Sequence, residues 1–179
     1  MQSIFLTGEP QSIPDVLAAK DQRAALQAEI FSQNPQGTLL DVKLNIPGPI
    51  KNNHYLQKLF AKGCAALEQD LTAQGLKYFL VNSWDRSSGC ENFYLLNDAA
   101  KSVKEVAIEF EDKNKLGRLF DADVLVKDQP AALSRSKLGF PIRHCFLCER
   151  PAKECARSRR HQVAELQDYI SKIYEEEFN

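Results

Sequence analysis

Asp121 and Asp123 sit one residue apart in the stretch GRLFDADVLV, residues 117–126. If that stretch is a strand, both carboxylates project from the same face about 7 Å apart. Like charges so placed repel, and a cation between them removes the conflict. Hard carboxylate oxygens suit Mg²⁺, which takes one or two protein carboxylates and shares its other positions with water and substrate phosphates. The chemistry that follows is phosphoryl or nucleotidyl transfer: the metal holds phosphates, neutralises developing charge and acidifies an attacking hydroxyl. Gly117 and Arg118 stand at the strand entrance, where a phosphate could be held. A solvated acidic face is the bland alternative, because a D-x-D motif is weak by itself. Flanking Leu119 and Leu125 weigh against it, since they leave the aspartates only partly wetted.

A second cluster lies downstream. Cys145 and Cys148 form a C-x₂-C pair, Cys155 follows, and His161 lies six residues further on, with His144 adjacent to the pair. Three thiolates and an imidazole (His161, or His144) can build a tetrahedral zinc site, though one C-x₂-C pair is weaker than two. Reduced packing cysteines or a redox-sensitive site are the alternatives. The same segment carries Arg143, Arg150, Lys153, Arg157, Arg159 and Arg160, which form either a solvated basic face or an anion-binding patch.

The alternation of 117–126 gives the aspartates an apolar backing of Phe120, Ala122, Val124 and Val126. EVAIEFE, residues 105–111, also alternates, and a short connection joins it to this strand, which predicts a β-hairpin. Pairing about its centre sets Glu109 opposite Asp121, so Glu109 or Glu111 could complete the acidic site. Further strands are expected in TLLDVKLNI, LKYFLVNSW and ENFYLLN. Helices are expected after the Ser12 cap, from about Asn52, and at the C-terminus, where Val163, Leu166, Ile170 and Ile173 share a stripe. The class is α+β or α/β, with a mixed, largely antiparallel sheet and about three helices. The 179 residues read as one domain, with the Cys/His-rich segment at 143–162 followed by the last helix.

Composition bounds the function. Charges nearly balance, 23 basic against 24 acidic for a net −1, which argues against general affinity for nucleic acid. No apolar run approaches a membrane span and no secretory leader is visible. Five cysteines, an odd number with three crowded together, do not resemble a secreted disulfide framework, so the cytoplasm is expected.

Three stretches taken together carry a resemblance: PGPIKN at 47–52, GRLFDADVL at 117–125 and RHCFLCERPAKECARSRRHQ at 143–162. With SIP and D-R between Ser12 and Arg23, they resemble the citrate lyase holo-acyl-carrier-protein synthases, also called apo-citrate lyase phosphoribosyl-dephospho-CoA transferases. The resemblance implies a nucleotidyltransferase-like enzyme. It would transfer 2′-(5″-triphosphoribosyl)-3′-dephospho-CoA to a serine of the citrate lyase acyl-carrier subunit, with release of pyrophosphate. Asp121 and Asp123 match the aspartate pair that the related malonate decarboxylase transferases use. Arg118, Lys51 and Asn52 would then bind phosphates, the latter two at a helix start where backbone N–H groups attract anions. Arg157 and Arg159 would meet the triphosphate, the CoA-like moiety or an acidic carrier. An obvious Gly-Ser helix before the aspartates, part of the wider nucleotidyltransferase signature, is missing. Two other classes are a small zinc-containing interaction module and a general nucleotidyltransferase acting on a nucleotide or an RNA end.

Overall fold

The computed structural model describes residues 2–129 and 131–178. The first helix, α1 (Ile13–Gln33), opens with a reciprocal Ser12–Asp15 capping box and Pro14 in its first turn. Strand β1 (Thr38–Leu44) follows, then α2 (His54–Ala73), which Asn53 caps by accepting from the Tyr55 and Leu56 N–H groups. Strands β2 (Tyr78–Arg86) and β3 (Gly89–Leu96) form a tight hairpin, and α3 (Ala100–Lys113) leads through a 3₁₀ turn into β4 (Phe120–Leu125). A short α4 (Ala152–Arg157) and α5 (Val163–Phe178) end the chain.

The four strands are ordered β2-β3-β1-β4, and every pairing is antiparallel. The α+β expectation with a largely antiparallel sheet therefore holds, with five α-helices among the described residues in place of three. One sheet face is apolar: Leu40, Val42, Tyr94, Leu96, Phe120, Ala122 and Val124 share a core with α2, α3 and α5. Phe120 anchors it, stacked on Phe60 and edge-on to Phe110. A Cβ on Gly63 would stand 2.2 Å from the Phe120 ring, so only glycine lets α2 lie this close to β4.

The predicted hairpin between residues 105–111 and β4 does not form. EVAIEFE satisfies the strand period, but with Val103 included the apolar residues fall at 103, 106, 107 and 110, the helical spacing. Ala107, which a strand would turn to the polar face, is fully buried in α3. The neighbour of β4 is instead β1, with Asp121 opposite Lys43 and Asp123 opposite Asp41.

Helix α3 also closes the free edge of β4. Buried Glu111 accepts from the Ala122 N–H at 2.9 Å, and buried Lys104 donates to the Ala122 carbonyl at 2.9 Å. Both ladder groups of an edge residue are thus satisfied by side chains, which removes a template for strand addition. Burial depresses the Lys104 pKa, against the pull of Glu111.

Candidate active site

The second sheet face changes character along its length. Leu39, Phe93 and Leu95 pack against Ile30 and Phe31 near the C-terminal end of α1. Continuing along the same strands with a period of two, the residues become Asp41 and Lys43 on β1, Glu91 on β3, and Asp123 and Asp121 on β4. An earlier turn of α1 brings Arg23 over them.

Charges here are paired tightly. Arg23 makes a two-pronged contact with Glu91, its Nη2 lying 3.0 Å from Oε2. Gln27 donates to Asp41 Oδ2 at 2.7 Å, and Lys43 Nζ lies 2.9 Å from Asp123 Oδ2. Arg143, arriving from the Cys/His-rich segment, donates to Asp121 Oδ1 at 3.0 Å and to the Phe120 and Arg118 carbonyls at 2.9 and 2.8 Å.

Asp41 is the unusual member. It is fully buried, and its Oδ1 has no hydrogen-bond donor among the described residues. Burial pushes its pKa up to about 8; Lys43 opposes the rise and the neighbouring Glu91 carboxylate adds to it. A proton shared with Glu91, a buried water or a cation would each satisfy such an oxygen. Asp123 goes the other way. Burial pulls it upward, but the charge and hydrogen bond of Lys43 more than offset this and hold it below its ordinary value. Three aspartates on two facing strands, one with an unpartnered buried oxygen, make a donor set of the hard type that fits Mg²⁺.

Beside this face, Cys145, Cys148, Cys155 and His161 converge, their ligand atoms all within 4.8 Å of one another. Cys148 Sγ lies 3.9 Å from Cys155 Sγ and 3.4 Å from His161 Nε2. Bonds of about 2.3 Å to sulfur and about 2.0 Å to nitrogen imply tetrahedron edges of about 3.8 and 3.5 Å, close to those seen. His144 contributes only its backbone, in a bridge to Pro151. Burial raises the Cys145 thiol, but the Leu147 N–H and the neighbouring thiols bring it below its ordinary value; the His161 contact lowers Cys148, and burial raises Cys155 to about 11.

Comparison with known proteins decides the family. A sequence model of the family described as Apo-citrate lyase phosphoribosyl-dephospho-CoA transferase matches residues 11–177. A Streptococcus pyogenes serotype M18 protein, named as a probable apo-citrate lyase phosphoribosyl-dephospho-CoA transferase, is 36% identical over 177 residues, covering 98% of this chain and 91% of its own. An Escherichia coli O1:K1 protein of the same name, without the qualifier, is 34% identical over 162 residues, covering 90% of this chain and 87% of its own. The chain belongs to the apo-citrate lyase phosphoribosyl-dephospho-CoA transferase family.

Within this family member, the residues singled out from the sequence fall into three groups. Asp121 and Asp123 share the polar face with groups the sequence reading missed: Asp41, Lys43, Glu91, Arg23 and Gln27. Glu109 does not join them. It projects from α3, which packs on the opposite, apolar face, and it is exposed and paired with Lys113. Glu111 is bound to the β4 edge and to Arg135, its Oε2 lying 2.6 Å from Nη2.

The expected phosphate binders are mostly engaged in holding the fold. Arg118 donates to the His144 carbonyl at 2.7 Å and lies over the Phe146 ring. Gly117 is required by close approach, since a Cβ there would stand 1.9 Å from the Phe110 carbonyl oxygen. Lys51 donates to the Ile46 carbonyl at 2.6 Å, and burial depresses its pKa. Buried Asn52 ties the α2 entrance to the β2–β3 turn through Asp85 and the Arg86 carbonyl. Arg157 and Arg159 lie exposed at the end of α4. Arg159 has φ 47°, with Arg159 N–H bonded to the Ala156 carbonyl and Arg160 N–H to that of Cys155, a Schellman cap. A signal for Asp41 was present in TLLDVKL, where a lone acid interrupts an apolar strand on the face of Leu39. Arg23 was already part of the family resemblance.

Among the described residues no helix is long and apolar enough to cross a membrane, and none of the five cysteines is joined in a disulfide.

Proposed function

We propose that this protein attaches 2′-(5″-triphosphoribosyl)-3′-dephospho-CoA to a serine of the citrate lyase acyl-carrier subunit, as a nucleotidyltransferase working in the cytoplasm. Family membership supports the choice of substrate and acceptor. The observation that carries the reaction type is the register placing Asp41 opposite Asp123, with Asp121 on the same face. The free cysteines fit a reducing compartment.

The serine Oγ–P bond forms at the phosphorus next to the ribose, and the bond to the bridging oxygen of the departing diphosphate breaks. The bonding electrons leave on diphosphate, and the serine proton passes to a carboxylate of the acidic face. Asp121, Asp123 and Asp41 would hold Mg²⁺, which supplies charge neutralisation at the phosphates. Lys43 and Arg143, already beside Asp123 and Asp121, are the cations placed to meet phosphate oxygens. Arg23 and Gln27 keep Glu91 and Asp41 in place from above. Arg157 and Arg159 form an exposed basic rim suited to an acidic carrier, where complementary charge speeds association. The Cys145–Cys148–Cys155–His161 cluster would hold one structural Zn²⁺.

The test is to incubate the protein with apo-carrier, the triphosphoribosyl substrate and Mg²⁺, then weigh the intact carrier. A mass gain equal to the prosthetic group, with one diphosphate released per carrier, is expected. An unchanged carrier mass would reject the activity.

A further inference from the structure

We infer that Zn²⁺ bound by Cys145, Cys148, Cys155 and His161 is the positioning element for Arg143, locking its guanidinium onto Asp121 and thereby setting the geometry of the acidic face. The metal site stands on its own donor set; the role of Arg143 rests on the transferase reading. Between residues 126 and 162, Cys155 is the one buried residue among those described. Apart from Phe146, which is partly buried against the core, apolar burial does little to hold this stretch in one conformation, and a metal crosslink is the usual substitute for a missing core.

The cluster has the local form of a metal knuckle. The Cys145 N–H bonds the Arg150 carbonyl at 2.9 Å, the Ala152 N–H bonds the Arg143 carbonyl at 2.9 Å, and the Leu147 N–H points at Cys145 Sγ at 3.5 Å. The first two bonds pair Arg143–Cys145 with Arg150–Ala152, and α4 then carries Cys155 back to the knuckle. Arg143 thus lies two residues before the first ligand, on the strand-like arm that the metal closes.

That arm interlocks with the entrance of β4. Arg143 donates to the Arg118 carbonyl at 2.8 Å while Arg118 donates to the His144 carbonyl at 2.7 Å, a reciprocal clasp. Phe146, inside the C-x₂-C pair, stacks on Tyr169 of α5 at 5.2 Å. The remaining Arg143 bonds reach the Phe120 carbonyl and Asp121 Oδ1. With Oδ1 held, the other Asp121 oxygen has a fixed direction. Releasing the knuckle frees the clasp, and Asp121 loses its orienting partner while the sheet beneath is untouched.

The experiment has arms that need no substrate. Purified protein from zinc-replete cells should contain about one zinc per chain. Removing zinc with a chelator, or Cys155→Ser, should speed amide exchange roughly tenfold or more at Cys145 and Ala152 and leave β1 and β3 unchanged. In the transfer assay, Arg143→Lys should keep its zinc, lower turnover about tenfold or more, and raise the Mg²⁺ concentration needed for half-maximal rate. Cys155→Ser should reproduce that Mg²⁺ shift, and the double variant should be no worse than the more impaired single, since both act through one contact. Zinc-free protein with all three cluster cysteines titrating as free thiols overturns the inference. So do unchanged exchange in the zinc-stripped chain, or additive effects of the two substitutions. Failure of the transferase reading looks different: a zinc-loaded protein with a protected knuckle that leaves the carrier's mass unchanged.

Discussion

Replacing Asp41 by asparagine should raise stability and abolish activity, and the size of the first effect follows from burial. Asp41 is fully buried beside Glu91, with its pKa pushed up to about 8 by burial foremost. In the unfolded chain the same carboxyl ionises near its ordinary value of about 4. Between those values the unfolded state gives up a proton that the folded state keeps, so folding loses about 1.4 kcal/mol for each pH unit gained. The sign is that of a raised pKa: the contribution is full below pH 4 and is lost as pH rises towards 8. Asparagine has no proton to lose. Its carbonyl can still accept from Gln27, and its amide can donate towards Glu91. From pH 5 to pH 7, wild-type stability should therefore fall relative to Asp41→Asn by about 3 kcal/mol. Urea unfolding at both pH values, in chelator to exclude divalent metal, measures the difference. Parallel pH profiles for the two proteins would refute the assignment of the proton to this site. Transfer activity of Asp41→Asn should drop at least about a hundredfold, because one of the carboxylates proposed to hold Mg²⁺ is gone.

Asp121→Asn and Asp123→Asn should each leave the fold within about 1 kcal/mol of wild type, since their ion pairs with Arg143 and Lys43 are partly exposed, yet lower transfer at least about a hundredfold. Normal turnover at saturating Mg²⁺ in both would sink the metal reading. Arg159→Gly should stabilise the protein by about 1 kcal/mol, because Arg159 occupies a left-handed cap position, while weakening carrier binding through the lost charge. Arg157→Glu should weaken carrier binding without the stability gain. Thermal melts and carrier titrations at two ionic strengths separate these effects, and an unchanged carrier affinity in both would remove the basic rim from docking. Glu111→Ala should cost about 2 kcal/mol or more, leaving the Ala122 N–H without its partner and half-buried Arg135 with Asp112 as its remaining carboxylate. A loss below about 1 kcal/mol in chemical denaturation would contradict that role for the edge cap.

Local information was enough for much of the chain. The Ser12 capping box, the period-four apolar residues of α2, the alternation in TLLDVKL and the turn between β2 and β3 each reflect interactions within a few residues, so they are legible without a partner. The Cys/His spacing was legible for the same reason: its four residues fall within 17 residues of chain, Cys145 to His161. What tertiary structure alone decided was which elements meet. EVAIEFE fits two periods, and the choice of helix was made by burial of Ala107 and Phe110 against the sheet. The strand beside β4 comes from some 80 residues earlier, so Asp41 reaches Asp123 only through long-range pairing. Buried Lys104 and Glu111 look like surface charges in the sequence because their partners are backbone groups of a distant edge strand. Arg143 reads as one cation among six for the same reason. A side chain's chemistry is written in its type, but its partners are set by packing, which in this protein puts Asp121 and Asp123 on one face with Asp41 and Glu91 and leaves Glu109 and Glu111 off it.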